Sequence, residues 1–544
     1  MKYWHFLAPL AVLFISSCST NSIPEAEPKQ HKTAPSSKSS TTHNNTQQDK
    51  TNIPVALPMN TKNVPQQSVV RETSTQITSH TSKINYSNQA GKIKQLPRQV
   101  LRSLRAQGIS TSGLSVYVQA VNNPNPLLTF QENTARNPAS VMKALTSYAA
   151  LGILGANYRW PIEVYTTGTI SANTLRGDLI IKGYGYPDFK PKDLQQILNA
   201  IRSKGIRNIE GNLVFDNSYF AVARQNAGAF DGQPYKLYNA VPDALLFNER
   251  VSCFIIQPKG KGKIDVSCPT PARNVKIINN IRANNRACTG SNASPRMKII
   301  PQGRSVTVKF SGNYSSRCGQ RKYFKVVSDP ANMLFASIWQ TWVGKMGGSI
   351  KGGFAQHSTP SHAKLLYTYH SKPLRDVLPT INKKSNNVMA RQLLLSIAAK
   401  KLGAAGTTRK GAQVVNTWLK SRGLNFPELR VDNGSGLSRS ARISARHMGQ
   451  LLADAYQSPY RNDFIRSLAI MGVDGTLKRR MTGTALKGRG QFKTGSLKDV
   501  RGIAGYIRAK NGQTYIVSIL HNDPKARSRG RAAHDEVIKW VFSH

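Results

Sequence analysis

Three short motifs that stand far apart in the chain constrain its fold most. An S-x-x-K pattern joins Ser140 and Lys143, an S-x-N pattern joins Ser385 and Asn387, and a K-T-G string begins at Lys493. Residues three apart on a helix lie on one face, so Lys143 can take the proton of the Ser140 hydroxyl. A fold that uses this chemistry must bring the three motifs together and carry the intervening chain as an insertion.

The local sequence assigns each motif to a regular element. Pro138 suits the first position of a helix, which predicts Ser140 near a helix N-terminus, where N–H groups favour a developing oxyanion. Ser385 immediately precedes a second predicted helix, and residues 492–497 are typical of a strand whose small residues let a substrate approach. By contrast, a second S-x-x-K pattern at Ser361 lies beside a proline with no helix start.

The spacing of apolar residues predicts α/β layers that a β-rich region interrupts. Between residues 162 and 353, short apolar runs are broken by Gly, Pro and Asn, as in strands joined by turns. Helical and strand-like periodicities dominate on either side. They predict helices at 96–107, 373–378, 386–402 and 532–542, and strands at 113–121, 502–507 and 514–520.

The ordered motifs resemble those of the class C low-molecular-mass penicillin-binding proteins, the D-alanyl-D-alanine carboxypeptidase/endopeptidase family of penicillin-binding protein 4. The resemblance covers roughly residues 96–544 and rests also on the strings at 137–143, 432–439 and 472–477. It implies a serine β-lactamase/transpeptidase-like α/β domain, an antiparallel sheet flanked by helices. The 245 residues from Ser140 to Ser385 imply a large β-rich insertion of two nested subdomains.

The expected organisation follows from this resemblance and from composition. It comprises a signal peptide at 1–18, a polar tether at 19–94, a catalytic domain at 95–163 and 364–544, and an inserted region at 164–363.

The resemblance also implies catalytic roles. Ser140 would attack the carbonyl between two D-Ala residues, Lys143 would act as its base, and Ser385 would relay a proton to the leaving amine. Burial and the second ammonium of Lys493 would lower the pKa of Lys143, as a lysine base requires. No metal or other cofactor is needed for this chemistry.

Substrate contacts are implied for a second set of residues. Asn387 would contact both the acyl-side peptide and Lys143, and Lys493 would place positive charge near the substrate carboxylate. The hydroxyls of Thr494 and Ser496 would bind that carboxylate, while the backbone N–H groups of Ser140 and Ser496 would form the oxyanion hole. Asn248 resembles an insertion residue that faces the cleft and reads a diamino acid side chain.

Two other functions use similar features. A β-lactamase shares the three motifs, but between Asn387 and Lys493 the sole glutamate is Glu428, which lacks the E-x-x-L-N context that activates a deacylating water. A non-catalytic, cationic peptidoglycan-binding lipoprotein would keep the fold without turnover, and the intact motifs disfavour it. A peptidase acting on peptidoglycan peptides and inhibited by β-lactams is the favoured prediction.

The first hundred residues predict export. Lys2 and the apolar run 6–15 are typical of a signal peptide, and the run ends at Cys18 in a lipobox-like string that indicates a membrane lipid anchor. Ser19 resembles the sorting signal of outer-membrane lipoproteins, which predicts a periplasmic, lipid-anchored protein. The polar segment that follows has too few large apolar residues to pack.

Four further cysteines are predicted to form disulfides. An even number of cysteines in an exported chain favours bridges, and we expect Cys253 to pair with Cys268 and Cys288 with Cys318. A zinc site is the competing use, but the chain has no C-x-x-C pair among them and no adjacent histidine.

The net charge of +50 would attract polyanions. Export argues against nucleic acid as the partner, and the anions of an envelope are acidic lipid head groups and the carboxylates of peptidoglycan peptides. A basic compositional bias is an equally good explanation. The sequence does not indicate an oligomeric state.

Overall fold

Apolar residues at strand and helix spacing build the elements in three stretches of the chain. The computed structural model describes residues 91–222, 225–260 and 262–544. Before the insertion lie α1 Arg98–Ala106, β1 Leu114–Ala120, β2 Pro126–Phe130 and α2 Met142–Leu154. The insertion contains β3 Pro161–Thr166, β4 Thr169–Ser171, β5 Thr174–Arg176, β6 Leu179–Gly183, α3 Pro191–Ser203, β7 Asn208–Ile209, β8 Leu213–Asp216, β9 Ser252–Lys259, β10 Lys263–Ser267, β11 Val275–Asn284, β12 Arg296–Gln302, β13 Ser305–Ser315, β14 Arg321–Lys325, α4 Pro330–Trp342, β15 Ser349–Ile350, β16 Phe354–Ala355 and β17 Lys364–His370. The C-terminal stretch contains α5 Leu374–Lys383, α6 Asn387–Leu402, α7 Thr408–Ser421, α8 Ala445–Gln457, α9 Arg461–Ser467, β18 Ala469–Ile470, β19 Gly490–Leu497, β20 Val500–Arg508, β21 Thr514–Asn522, α10 Ala526–Arg529 and α11 Arg531–Ser543.

The first and last stretches share one antiparallel sheet in the order β18-β19-β20-β21-β1-β2. Side chains alternate across a strand, and β21 shows this directly. Ile516 and Leu520 join the core that includes α2 and α8, whereas Val517 and Ile519 join the core that includes α1 and α11. The part of the chain that carries the three motifs is therefore a sheet with helices on both faces.

The insertion contains four further sheets. A five-stranded sheet β16-β8-β6-β3-β17 and a four-stranded sheet β15-β7-β5-β4 accompany α3 and α4. Between β8 and α4 the chain forms two three-stranded sheets, β11-β13-β12 and β10-β9-β14, which share a core around Phe254 and Phe310. This second group, residues 252–325, is enclosed in sequence by the first.

The boundaries differ in detail from the sequence expectations. β3 and β17 are paired strands of the five-stranded sheet, so both belong to the insertion. The expected limits at 164 and 363 divide β3 and leave out β17. The expectation of a β-rich region also omitted α3 and α4, although each begins with a proline at its first position.

The expected tether ends earlier than residue 94. Lys92 and Ile93 donate backbone hydrogen bonds of 3.1 and 2.9 Å to carbonyls of β2, and Thr129 returns one of 3.0 Å to Ile93. A side chain at Gly91 would come within 2.7 Å of the Thr129 backbone nitrogen. This close pairing makes residues 91–94 part of the fold. The expected signal peptide, Cys18 and the rest of the tether lie outside the described residues.

One disulfide closes the inner part of the insertion. Cys288 and Cys318 are bonded with their Cα atoms 5.1 Å apart. Cys253 lies on β9 and Cys268 directly follows β10, two strands that are antiparallel neighbours. The bond between Cys253 and Cys268 stays a prediction.

Within the described residues, no helix is both long and apolar enough to span a bilayer. The same part of the chain contains no group of three or more His, Cys, Asp or Glu side chains that could hold a metal ion.

Candidate active site

Ser140 lies in a 3₁₀ turn, Ala139–Val141, that leads directly into α2. The helix thus begins four residues later than Pro138 suggested, because the turn precedes it. Lys143, in the first turn of α2, donates a hydrogen bond of 2.9 Å from Nζ to Ser140 Oγ. Ser140 is half-buried, and Lys143 is completely buried. The pair therefore has the geometry of a nucleophile and its base.

Three oxygens surround the Lys143 amine. Besides Ser140 Oγ, Nζ donates to Asn387 Oδ1 at 2.6 Å and to the Ser435 carbonyl at 2.6 Å. Burial, followed by the charges of Lys493 and Arg391, lowers the pKa of Lys143 well below its ordinary value. The amine can therefore be neutral at a lower pH than a solvated lysine, as proton abstraction requires. Ser435 belongs to the string 432–439, and the sequence did not predict a role for its carbonyl.

A second serine–lysine pair belongs to the same site, because Ser385 lines the same pocket as Ser140. Lys493 on β19 donates from Nζ to Ser385 Oγ at 2.9 Å and to the Thr494 carbonyl at 2.8 Å. The lysine is completely buried, and burial lowers its pKa to about 7. Ser385 has a positive φ of 55°, a conformation that costs energy in a residue with a side chain. The contact with Lys493 is one restraint that holds it there.

Two glycines let loop and strand backbones approach the nucleophile. A Cβ at Gly495 would lie 2.5 Å from the Pro138 carbonyl oxygen and 3.0 Å from the Ser140 nitrogen. A Cβ at Gly436, whose φ is 74°, would lie 1.8 Å from the Ala139 carbonyl oxygen. Any larger residue would push the K-T-G strand or the Ser435 loop away from Ser140. The glycine of the K-T-G string is therefore required by packing.

The middle residue of the S-x-N motif connects the site to the insertion. Asn386 caps α6, because its Oδ1 accepts a hydrogen bond of 3.1 Å from the Met389 N–H. Its Nδ2 donates to Glu249, which also pairs with Lys190 and is 8% exposed. Sequence reasoning missed Glu249, although it is adjacent to Asn248. Glu249, which belongs to the insertion, therefore holds Asn386, the residue next to Asn387.

The proposed substrate-binding residues lie at different places. Thr494, whose Oγ1 donates to Thr476 at 2.7 Å, and the exposed Ser496 line a pocket of about 300 Å³ together with Ser140 and Ser385. Asn248 instead donates from Nδ2 to the Val251 carbonyl at 2.8 Å, and it is not among the described residues that line this pocket. Asn387 also donates to the Tyr238 carbonyl at 3.1 Å.

Ser361 and Glu428, two residues with alternative roles in the sequence analysis, lie outside the lining of this pocket. Ser361 lies in an exposed turn before β17, away from any helix start. Glu428 contacts His447 Nδ1 at 2.7 Å and accepts from the Ser444 N–H at 2.7 Å, and these contacts help to lower its pKa to about 2 against the effect of burial. Its carboxylate therefore stabilises the start of α8 as an anion.

Comparison with known proteins identifies the family of the chain. The sequence matches the D-Ala-D-Ala carboxypeptidase 3 (S13) family over residues 97–541. A D-alanyl-D-alanine carboxypeptidase from Actinomadura sp. is 28% identical over 403 residues, covering 71% of this chain and 73% of that protein. The carboxypeptidase DacB of Haemophilus influenzae is 26% identical over 415 residues, covering 74% and 84%.

A crystal structure supports the fold. Penicillin binding protein 4 (dacB) from Haemophilus influenzae superposes with a TM-score of 0.69 at 21% identity, covering 82% of this chain and 99% of that one. The transpeptidase-like α/β fold expected from the motifs is confirmed. The chain therefore belongs to the D-Ala-D-Ala carboxypeptidase 3 (S13) family and is a serine-type D-Ala-D-Ala carboxypeptidase.

Proposed function

We propose that Ser140 forms an acyl-enzyme with D-Ala-D-Ala peptides of peptidoglycan and that penicillin inhibits the protein by acylating the same oxygen. The observation that carries this proposal is the contact of 2.9 Å between Lys143 Nζ and Ser140 Oγ, with the amine buried and its pKa lowered. A buried neutral amine within hydrogen-bond distance is suited to activate a serine hydroxyl.

The reaction divides into two steps. Ser140 Oγ bonds to the carbonyl carbon while Lys143 takes the hydroxyl proton. The C–N bond then breaks, and the leaving amine takes a proton relayed through Ser385, which contacts Lys493. Water next hydrolyses the ester and restores the serine hydroxyl, releasing the shortened peptide as a carboxylic acid.

The other residues would bind the substrate. The Ser140 and Ser496 N–H groups would stabilise the oxyanion, which forms only after attack. Thr494 and Ser496 would receive the terminal carboxylate, and Lys493, which contacts the Thr494 carbonyl, would supply positive charge in its protonated form. Asn387 would hold both the acyl-side peptide and Lys143, which it contacts at 2.6 Å. Asn248 would act from the insertion.

The test uses a fluorescent penicillin with the purified protein. The Haemophilus influenzae relative has been crystallised in complex with a β-lactam, which makes this a suitable probe. Wild-type protein should become covalently labelled, and Ser140→Ala should abolish the label. Ser361→Ala is the matched control, because Ser361 has the same S-x-x-K pattern, and it should keep full labelling. Labelling that survives Ser140→Ala in a folded variant refutes the proposal.

Digestion of peptidoglycan separates the two peptidase activities. Loss of a terminal D-Ala indicates a carboxypeptidase, whereas cleavage of cross-linked dimers indicates a D,D-endopeptidase. If neither product is found, a cationic peptidoglycan-binding scaffold without turnover is the remaining function.

We also propose that the protein is exported to the periplasm and held at the outer membrane by lipid on Cys18. The support is the apolar run before Cys18 and the polar segment after it. Mass spectrometry of the mature N-terminal peptide should find a diacylated or triacylated cysteine; an unmodified or uncleaved N-terminus would refute the anchor.

A further inference from the structure

One side of the cleft is strongly cationic. Ser140, Ser385, Thr494 and Ser496 line one pocket of about 300 Å³. Four arginines also line it: Arg479, Arg480, Arg501 and Arg531. No acidic side chain is among the described residues that line this pocket.

The structure holds two of these arginines in place. Arg501 on β20 is directly opposite Ser496 on β19, and opposed residues of paired strands share a face. Its Nε donates to the Ala526 carbonyl at 3.0 Å, and its Nη2 donates to the Arg527 carbonyl. Arg480 is 7% exposed and donates from Nε to Asp535 at 2.6 Å. These two guanidiniums form the fixed wall of the pocket.

The other two arginines lie at the rim. Arg531 is the first residue of α11, and its Nε is 3.8 Å from Asp535, the same carboxylate that Arg480 uses. Arg479 is exposed and immediately precedes Arg480. Both side chains can meet a ligand without leaving a buried group behind.

The positive charge of these four arginines is not balanced by nearby carboxylates. One carboxylate, Asp535, serves Arg480 and Arg531, and Arg501 meets backbone carbonyls. Burial and repulsion from Arg480 and Arg531 lower the pKa of Arg501 to about 10. Guanidiniums that repel each other at the edge of an open pocket bind an anion favourably, and arginine is suited to carboxylates because it can donate two parallel hydrogen bonds.

The position of the arginines relative to Thr494 and Ser496 indicates which anion they would bind. Under the proposed function, Thr494 and Ser496 bind the carboxylate next to the scissile bond. The arginines that line the same pocket, with Arg501 directly opposite Ser496, would then lie on the leaving-group side. We propose that Arg479, Arg501 and Arg531 form a second carboxylate-binding subsite, which selects substrates whose leaving group carries a carboxylate in addition to the one beside the scissile amide. This inference rests on the proposed function and specifies its substrate.

The test compares two synthetic peptides that differ by one charge. Both carry the same acyl part ending in D-Ala, and the leaving residue is D-Glu in one and D-Gln in the other. The two residues have nearly equal size. We expect kcat/KM for the D-Glu peptide to exceed that for the D-Gln peptide by about tenfold, as one charge-assisted contact would give. A ratio near one in the wild-type protein overturns the subsite.

Matched variants separate the subsite from the general positive field of the protein. Arg531→Gln and Arg479→Gln each remove one rim guanidinium and should reduce the D-Glu/D-Gln ratio severalfold. Arg508→Gln removes an equal charge from an exposed position at the end of β20, outside the pocket lining, and should keep the ratio. An unchanged ratio in both rim variants, or an equal fall in Arg508→Gln, overturns the proposal.

The two hypotheses fail differently. If wild-type protein is labelled by penicillin and releases D-Ala from a D-Ala-D-Ala peptide while the D-Glu/D-Gln ratio is one, the proposed function stands and the subsite is refuted. If no label forms and no peptide is cleaved, both are refuted.

Discussion

Two buried lysines determine the chemistry at the scale of single residues. Lys143 and Lys493 are each completely buried, and burial is the largest cause that lowers both pKa values. The charge of Lys493 lowers the pKa of Lys143 further. When ionisable groups interact in this way, protons leave in macroscopic steps that belong to the pair. The pH dependence of acylation therefore reports the whole site.

Acylation by penicillin should rise with pH on the acidic side, because Lys143 must lose its proton to act as a base. Arg391 is a third cause that lowers the pKa of Lys143. Arg391→Gln removes that charge, so the protonated amine is favoured, the pKa rises and the acidic limb moves to higher pH. The acylation rate on that limb should fall by up to about tenfold, since one pKa unit corresponds to a factor of ten.

Stopped-flow acylation between pH 5 and 9 measures this displacement. Lys400→Gln is the control, because Lys400 is an exposed cation on the same helix, α6. Its limb should coincide with that of the wild-type protein. A limb that moves to lower pH in Arg391→Gln, or moves equally in the control, would contradict the role of Arg391.

At the scale of elements, the turn that carries Glu249 shows how the insertion supports the site. Asn248, Glu249 and Arg250 all have positive φ values, 46°, 54° and 60°. Left-handed backbone costs roughly 1–2 kcal/mol for each residue with a side chain. The contacts of Glu249 with Lys190 and Asn386 offset part of this cost. The turn thus joins the insertion to the N-terminus of α6.

A charge conflict in the inner sheet gives a prediction of its own. Lys298 on β12 lies directly opposite Lys309 on β13, and like charges in that position are destabilising. Within the described residues, neither lysine forms an ion pair. Lys298→Glu should replace repulsion with attraction and strengthen the local pairing by about 0.2–1 kcal/mol.

Hydrogen exchange of the β12 and β13 amides in the full chain measures this gain, which should shrink at high salt because exposed charges are screened. Lys276→Glu is the matched control: Lys276 is an exposed cation on β11, opposite Thr307 rather than another cation. An equal gain in this control, or weaker protection in Lys298→Glu, would contradict the pairing argument.

The sequence predicted the elements that carry the motifs but not the contacts between them. A serine and a lysine three residues apart on a helix must share a face, so the Ser140–Lys143 pair could be predicted locally. The Ser435 carbonyl and Glu249 come from distant segments, and a backbone carbonyl has no sequence signature. The left-handed turn at residues 248–250 could not be predicted either, since Glu and Arg are not typical of left-handed backbone.

At the scale of the whole molecule, the net charge of the chain has consequences for ligand binding. Of the +50 total, residues 252–325 contribute fifteen basic side chains against one acidic side chain. The rest of the excess is spread over the remaining chain, including the arginines beside the cleft. A field of this sign raises the local concentration of anionic ligands around the protein.

Acylation by benzylpenicillin, which is an anion, should therefore depend on ionic strength. Screening reduces the reach of the field from about 30 Å at 0.01 M salt to below 10 Å above 0.1 M. We expect the second-order rate constant of acylation to fall about three- to tenfold between 10 mM and 500 mM NaCl. A zwitterionic aminopenicillin, with no net charge to attract, should lose much less. Equal salt dependence for both compounds would show that screening acts on the protein itself, and not on the approach of the ligand.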